Sequence, residues 1–277
     1  MAVCAGILAA CTPVPPPGSG VATYVALGDS YTAGPLIPLQ ENTPLGCLRS
    51  TNNYPHLAAK SFGLPLRDVS CSGAQTKDMY TPQVVYEGAS NPPQLNALDA
   101  DVKIVSVGIG GNDMGFSEIA FACAALDPTA TPCQDKYVVE GHDTIKDRID
   151  ATGPKVDALL QTIHDRSPDA EIYVVGYPSI VPESGPGCWP TLPISDADLP
   201  YVRSVINNLN AMLQHSAATN DAVYVDTHTP GLGHDACKLP VLRWVEPVVP
   251  VNAAAPVHPN LTGEQGMARA LVAAVQG

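Results

Sequence analysis

The chain has few basic residues: Lys and Arg together number 14, against 27 Asp and Glu, and the formal net charge over 277 residues is −13. These basic residues are scattered, so no positive segment is available to bind the phosphates of nucleic acid or the surface of an anionic membrane. We therefore expect no nucleic acid among the partners of this protein.

Long apolar runs and large aromatic side chains are also scarce. No apolar stretch reaches the roughly 18 residues that a membrane-spanning helix requires. With three Phe and two Trp, the sequence shows no aromatic stripe on which sugar rings would stack. The hydrophobic fraction of 45% is nevertheless enough, at this length, to bury a sizeable core. We predict one α/β domain over residues 21–277.

Residues 1–20 have the composition of an export segment rather than of a folded domain. Residues 2–10 form a short apolar run, the Leu-Ala-Ala-Cys that ends at Cys11 resembles the lipobox of bacterial lipoproteins, and residues 12–20 are rich in Pro, Gly and Ser. We predict export from a bacterial cell, with Cys11 as the lipidation candidate that would attach the protein to the membrane. No Lys or Arg precedes Arg49, so a plain signal peptide or a start further upstream remains the alternative.

The cysteines contain no CxxC pair, and setting Cys4 and Cys11 aside leaves an even number. In an exported chain, this pattern favours disulfides over zinc. Many connectivities are possible, and pairing in sequence order is the simplest of them. The expected disulfides are then Cys47–Cys71, Cys123–Cys133 and Cys188–Cys237.

Five short apolar runs enriched in β-branched residues are typical of buried parallel strands, and they lie at 21–27, 66–70, 102–107, 171–175 and 222–225. Helical patterns lie between or after them, at 54–62, 155–166, 199–218 and 263–275. Pro154 is expected to separate an earlier helix, near 143–151, from the one that follows. The alternation predicts a doubly wound parallel sheet with helices on both faces.

Small-residue turns follow the first three predicted strands, and each holds a residue suited to catalysis. Gly-Asp-Ser places Ser30 at the end of the first strand, Gly73 follows the second, and Gly-Asn-Asp places Asn112 after the third. Open α/β sheets bind ligands at the edge where the carboxyl ends of the strands lie. A serine there is a candidate nucleophile that needs a base and oxyanion donors. His258, in a loop before the last predicted helix, is the candidate base.

These four blocks, at Ser30, Gly73, Asn112 and His258, occur in the order and approximate spacing that the SGNH, or GDSL, hydrolases show. The resemblance covers residues 21–275, and the cysteine layout is most similar to the secreted actinobacterial esterases and lipases. It implies a single-domain flavodoxin-like three-layer α/β/α sandwich with a parallel sheet of about five strands. It also implies hydrolysis of a carboxylic ester without a metal or another cofactor.

By this resemblance, Ser30 corresponds to the nucleophile and His258 to the general base and acid. The oxyanion hole would consist of the N–H of Ser30, the N–H of Gly73 and the side-chain amide of Asn112. Ser30 would form an acyl-enzyme that water hydrolyses. The neighbouring Asp29 is expected to bond the backbone of the turn rather than to act as an acid.

The chain departs from the family at Ala255, where most members have an aspartate three residues before the histidine. A backbone carbonyl can also accept the Nδ1–H bond of an imidazole, so we expect the Ala255 carbonyl to orient His258. A carboxylate from elsewhere in the chain is the alternative, and Asp226 and Asp235 are the candidates.

Other functions stay open at this point. The cluster of Asp226, His228, His234 and Asp235 could ligate a metal, but its spacing matches no standard metal motif. We expect a monomer that hydrolyses a lipid or another small ester. An acyltransferase or a carbohydrate acetyl esterase of the cell envelope could use the same residues. A non-catalytic envelope protein on a degenerate hydrolase scaffold is a further alternative, to which Ala255, at the position of the usual aspartate, lends slight support.

Overall fold

Five parallel strands form the centre of the protein in the computed structural model, which describes residues 15–85 and 88–277. The strands are β1 (Thr23–Gly28), β2 (Leu66–Asp68), β3 (Val102–Gly108), β4 (Glu171–Val175) and β5 (Val223–Val225). Their order across the sheet is β2-β1-β3-β4-β5, and every neighbouring pair is parallel. This is the flavodoxin-like order, so the predicted fold is confirmed.

The helices cover both faces of this sheet. They are α1 (Ser30–Ala33), α2 (Tyr54–Phe62), α3 (Phe116–Ala122), α4 (Pro132–Tyr137), α5 (Thr144–Arg166), α6 (Leu199–Thr219) and α7 (Leu261–Gln276). Helices α5 and α6 pack together on one face, and α2 and α7 on the other. Side chains alternate along a strand, so Val25 and Leu27 of β1 enter one core and Tyr24 and Ala26 the other. The sheet is therefore the middle layer of three.

Helix α5 runs unbroken through Pro154, so the predicted division into two helices at this residue is wrong. Proline lacks the N–H that would bond the carbonyl four residues earlier, which here is the carbonyl of Asp150. Asp150 is exposed to solvent. The apolar face continues past the proline, with Ile149 and Val156 both buried. Burial of this face on the sheet outweighs the one lost hydrogen bond.

Several short elements lie in the loops around the sheet. Two antiparallel pairs join Gln83–Val84 to Ser90–Asn91 and Val138–Val139 to His142–Asp143. Short 3₁₀ helices occupy Leu45–Cys47, Thr76–Met79, Gln94–Ala97 and Thr229–Gly231. These elements give the long loops at the carboxyl ends of the strands a fixed course.

Three disulfides tie these loops together: Cys47–Cys71, Cys123–Cys133 and Cys188–Cys237. They are the pairs expected from the sequence order. The first joins the loop after α1 to the loop after β2, the second joins the end of α3 to α4, and the third joins the loops that follow β4 and β5. On the loop-entropy model each contributes roughly 3 to 4 kcal/mol to stability.

The chain from Pro15 to Gly20 lies on the body of the protein. The buried guanidinium of Arg67 donates hydrogen bonds to the carbonyls of Pro15 and Pro16, at 3.0 and 3.1 Å. Cys11 is outside the described residues, and the domain boundary at residue 20 stays a prediction. No helix in the described part of the chain has the length and apolar character needed to cross a membrane.

Candidate active site

Ser30 and His258 meet at the carboxyl edge of the sheet. Strand β1 ends at Gly28, Asp29 caps helix α1, and Ser30 is the first residue of that helix. His258 lies just before α7, whose first N–H groups are capped by the side chain of Asn260. The hydroxyl oxygen of Ser30 lies 2.8 Å from Nε2 of His258. The two residues, far apart in sequence, thus form a hydrogen-bonded pair.

Gly28, just before the turn that presents Ser30, is packed too closely to carry a side chain. A Cβ at this position would lie 2.2 Å from the hydroxyl of Thr32 and 2.7 Å from the carbonyl of Gly108. The buried side chain of Gln94 bonds both the N–H and the carbonyl of Gly28, at 2.8 and 2.9 Å. Only glycine fits here, and the amide of Gln94 fixes its backbone.

The carbonyl of Pro256, rather than that of Ala255, faces the imidazole. Nδ1 of His258 lies 2.8 Å from the Pro256 oxygen, whereas the Ala255 oxygen accepts the backbone N–H of His258 at 3.2 Å. The prediction for Ala255 is therefore wrong by one residue. The reason is the left-handed backbone of Val257, at φ 59°, which turns the intervening peptide units.

The candidate carboxylates make other contacts. Asp226 accepts hydrogen bonds from the backbone N–H groups of His228 and Thr229, both at 2.9 Å. Asp235 accepts the N–H of Cys237 at 3.0 Å and pairs with Lys238. A backbone carbonyl thus occupies the position where a carboxylate would orient the histidine.

These contacts define the protonation state of the pair. A carbonyl can only accept, so Nδ1 of His258 carries the proton and the free Nε2 accepts the hydroxyl hydrogen of Ser30. Burial lowers the pKa of His258, and the hydrogen bond to Pro256 partly offsets this effect. The imidazole is therefore neutral near pH 7 and able to take a proton.

Gly73 and Asn112 line the same cavity as Ser30 and His258, with a volume of about 210 Å³. One hydrogen of the Asn112 amide bonds the Ala74 carbonyl at 3.0 Å, and the second bonds no acceptor among the described residues. Within residues 15–85 and 88–277, no acceptor receives a hydrogen bond from the N–H of Ser30 or of Gly73. Three residues that line the cavity therefore each have an N–H available to a bound molecule.

Asp113 holds the loops of Gly73 and Asn112 against each other. Its carboxylate accepts the backbone N–H of Thr76 at 2.9 Å and the Thr76 hydroxyl at 2.5 Å. Gln75 adds a bond from its side-chain amide to the Asn112 carbonyl, at 2.9 Å. The loops after β2 and β3 therefore act as one support for the candidate oxyanion donors.

Asp29 is fully buried below the serine and bonds the turn backbone, as expected, through the N–H of Tyr31 at 2.9 Å. Its second oxygen accepts a hydrogen bond from Tyr177 at 2.5 Å. Burial raises the pKa of Asp29 to about 7, although both hydrogen bonds lower it. Tyr177 is not among the site residues expected from the sequence. Its position two residues after β4, at the edge where the other site residues lie, was the available signal.

A second cavity, of about 340 Å³, opens beside His258 and is lined almost entirely by apolar side chains. It shares Phe116, Ser117 and His258 with the smaller cavity. Its walls come from α3, α6 and the loops after β4 and before α7, and include Ile119, Ile180, Ile194, Val205 and Val257. An apolar group attached to a carbonyl at Ser30 can extend into this space.

A larger cavity, of about 1020 Å³, lies elsewhere, against Pro15 to Pro17 and Arg67, and includes neither Ser30 nor His258. In the described residues, no three His, Cys, Asp or Glu side chains form a group that could hold a metal ion. In the cluster considered for a metal, His234 stacks on Trp244 with ring centroids 4.9 Å apart.

The sequence matches the model of the GDSL-like lipase/acylhydrolase family over residues 26–265. The chain belongs to this family. The GDSL protein described here is accordingly a carboxylic ester hydrolase, and its parallel sheet with flanking helices is the fold expected for the family.

Two Streptomyces proteins illustrate the sequence similarity of this GDSL hydrolase. Lipase 2 of Streptomyces coelicolor is 39% identical over 251 residues, which are 88% of this chain and 83% of the lipase. An esterase of Streptomyces scabiei is 30% identical, over 77% of this chain and 72% of the esterase.

Solved structures agree with the fold. An extracellular lipase of Streptomyces rimosus superposes with a TM-score of 0.76 at 27% identity, over 91% of this chain and 99% of the lipase. Phospholipase A1 of Streptomyces albidoflavus gives the same TM-score at 24% identity, over 92% of this chain and 99% of the phospholipase. At this identity, the similarity to the phospholipase shows only that the two proteins share a fold.

Proposed function

We propose that this hydrolase acts through an acyl-enzyme on Ser30, with His258 as the general base and acid. The observation that carries the proposal is the 2.8 Å hydrogen bond between the serine hydroxyl and Nε2 of the neutral imidazole. A serine hydroxyl is weakly nucleophilic by itself and needs an adjacent base. His258 is the base in contact with it.

The reaction begins when the Ser30 oxygen attacks the carbonyl carbon of the ester and its proton moves to Nε2 of His258. The tetrahedral intermediate collapses as Nε2 returns the proton to the leaving oxygen, which releases the alcohol and leaves the acyl group on Ser30. Water then attacks this ester and loses a proton to Nε2. His258 finally returns the proton to the serine oxygen, which frees the carboxylic acid.

The Pro256 carbonyl supports these steps by holding the Nδ1–H of His258, so that Nε2 faces the serine. It also stabilises the imidazolium that forms in each step, although a neutral carbonyl does so less strongly than a carboxylate. We propose a Ser30–His258 dyad of this kind in place of a triad with a carboxylate.

The oxyanion of each tetrahedral intermediate is proposed to accept hydrogen bonds from the N–H of Ser30, the N–H of Gly73 and the free hydrogen of the Asn112 amide. These donors lie around one cavity and are held by the surrounding loops. Because they are fixed before the reaction, they stabilise the developing charge without reorganising.

The apolar cavity beside His258 supports an ester with an extended acyl chain as the substrate. An acetyl group would leave most of the roughly 340 Å³ unfilled, and burial of methylene groups there contributes about 0.8 kcal/mol each. The names of two relatives, Lipase 2 of Streptomyces coelicolor and the extracellular lipase of Streptomyces rimosus, agree with this choice. We therefore favour lipid esters over acetylated glycans.

We also propose that the protein works outside the cell as a monomer. The three disulfides and the extracellular Streptomyces rimosus lipase support export. Lipidation of Cys11 remains a prediction.

A series of p-nitrophenyl esters, from acetate to long acyl chains, tests the proposal together with a fluorophosphonate probe. The wild type should label at Ser30 and hydrolyse longer esters, and Ser30→Ala should do neither. Ser204→Ala, which removes an exposed hydroxyl on α6, is the matched control and should behave as the wild type. Activity that survives in Ser30→Ala would rule out this serine as the nucleophile. Transfer of the acyl group to an added alcohol in preference to water would favour the acyltransferase.

A further inference from the structure

Tyr31, the residue after Ser30, makes two contacts with the loop of His258. The proposed reaction steps assign no role to either contact. The side chain of Tyr31 is 4% exposed. The hydroxyl donates a hydrogen bond of 2.6 Å to the carbonyl of Val257. The ring packs against the imidazole of His258, with centroids 4.9 Å apart and planes inclined at 35°.

The residue that Tyr31 holds is conformationally strained. Val257 has φ 59°, a left-handed backbone that β-branched residues rarely adopt. Such a conformation persists only where the surroundings impose it. The N–H of Val257 makes a long bond of 3.4 Å to the Pro247 carbonyl, so the shorter bond from Tyr31 is the stronger restraint.

This strained residue controls the histidine, because it separates Pro256 from His258 in the chain. The left-handed turn at Val257 brings the Pro256 carbonyl to Nδ1 of His258. A relaxed backbone at Val257 would rotate that carbonyl away from the ring. The imidazole would then lose the contact that fixes its orientation and its tautomer.

Tyr31 itself is firmly placed. Its N–H bonds the buried carboxylate of Asp29, and its ring makes edge contacts with Tyr177 and Phe116, at 5.1 and 5.9 Å between centroids. Burial and the charge of Asp29 raise the pKa of Tyr31 well above its ordinary value of 10.0, so the hydroxyl keeps its proton and remains a donor near neutral pH.

We propose that Tyr31 is a positioning residue for His258, acting through its hydrogen bond to Val257 and its contact with the imidazole. The proposal rests on the proposed roles of Ser30 and His258. One four-residue helix, α1, then carries both the nucleophile and the side chain that sets the base against it.

The first test is Tyr31→Phe, which keeps the ring and removes the hydroxyl. We expect kcat on a p-nitrophenyl ester to fall about tenfold, the effect of one buried hydrogen bond, with KM changed by less than about threefold. The Pro256 carbonyl raises the pKa of His258, so loss of this contact should also move the acidic limb of kcat/KM to lower pH.

The matched control is Tyr24→Phe. Tyr24 is also fully buried, and its hydroxyl makes one hydrogen bond of 2.6 Å, to Ser106 in the opposite core. This variant should lower the Tm while leaving kcat and the acidic limb as in the wild type. A general loss of stability and a loss of positioning are thereby separated.

A second variant tests the role of the strain. Glycine adopts a positive φ without the penalty of a side chain, so Val257→Gly should make the turn less dependent on Tyr31. We expect the kcat loss caused by Tyr31→Phe to shrink several-fold when it is measured in the Val257→Gly background. If Tyr31→Phe alone does not fold, kcat of the double variant relative to Val257→Gly decides the question, and a loss of tenfold or more there counts against the proposal.

Three results would each overturn the positioning role: kcat of Tyr31→Phe equal to that of Tyr24→Phe, an unmoved acidic limb, or an equal kcat loss in both backgrounds. Failure of the proposed function looks different, because the wild type itself would then not label at Ser30 with the fluorophosphonate.

Discussion

The hydroxyl of Tyr177 lies 2.5 Å from Oδ2 of Asp29 and donates a hydrogen bond to it. The same hydroxyl accepts the backbone N–H of Gly111 at 2.9 Å. Asp29 precedes Ser30, and Gly111 precedes Asn112. One phenol therefore links the turn of the proposed nucleophile to the loop of a proposed oxyanion donor.

Tyr177→Phe should disturb this link. Gly111 loses the acceptor of its N–H, and the loop of Asn112 loses its fixed distance from Ser30. We expect kcat to fall about tenfold, in line with one buried hydrogen bond, and KM to change little. Tyr173→Phe, which removes the hydroxyl that a buried tyrosine of β4 donates to Glu171, is the control. Equal kcat values in the two variants would show that the link is structural only.

Asn112→Ala should remove one oxyanion donor while leaving the dyad in place. The loss of such a donor lowers kcat by about 10²- to 10³-fold in comparable sites. Because the donor acts on the transition state, kcat should fall far more than KM rises. Steady-state kinetics on one p-nitrophenyl ester measure both constants. A kcat within about threefold of the wild type would show that Asn112 is not an oxyanion donor.

Asp29 should make the stability of the protein depend on pH. Burial raises the pKa of Asp29 to about 7, from an ordinary value of 3.8. Between these values the native state binds more protons than the unfolded state, so this contribution to stability is complete below about pH 4 and is lost as the pH rises through about 7.

Asp29→Asn removes this titration. Between about pH 4 and pH 7, the free energy of unfolding of the wild type should fall relative to that of Asp29→Asn by up to about 4 kcal/mol. Urea denaturation at the two pH values measures the difference. Parallel pH dependence in the two proteins would contradict the raised pKa.

Val205→Phe should change the preferred length of the acyl chain. Val205 is a buried residue of α6 in the wall of the apolar cavity, and a phenyl ring there would occupy space proposed for the chain. We expect kcat/KM for a long p-nitrophenyl ester to fall at least about tenfold, since each excluded methylene forfeits about 0.8 kcal/mol. The acetate should be hydrolysed as before.

Ala211→Phe places the same ring on an exposed position of α6 and should leave the preference unchanged. If Val205→Phe and Ala211→Phe give the same ratio of long-chain to acetate activity, the cavity does not bind the acyl group.

The sheet, and the placement of three candidate site residues at its carboxyl edge, could be predicted because their signals are local. Buried parallel strands appear as apolar β-branched runs, and Ser30, Gly73 and Asn112 each occupy a small-residue turn at the end of such a run. The disulfides could also be predicted, because the cysteines pair in sequence order, which is the simplest connectivity.

The acceptor for His258 could not be found in this way. Whether Ala255 or Pro256 faces the ring depends on the φ angle of Val257. That angle is held by Tyr31, 226 residues earlier in the chain, and no pattern near the histidine records the contact. The course of α5 past Pro154 was missed for a similar reason, since packing on the sheet outweighed a local helix-breaking signal.

The disulfide between Cys47 and Cys71 bears directly on the loop of Gly73. The Cys47 carbonyl accepts the N–H of Ser72 at 3.0 Å, and the N–H of Cys71 bonds the Gly28 carbonyl at 3.0 Å. The disulfide is thus one of the bonds that hold the loop of Gly73 beside the end of β1, where Ser30 follows. If Gly73 is the oxyanion donor proposed above, catalysis would depend on the formation of this disulfide.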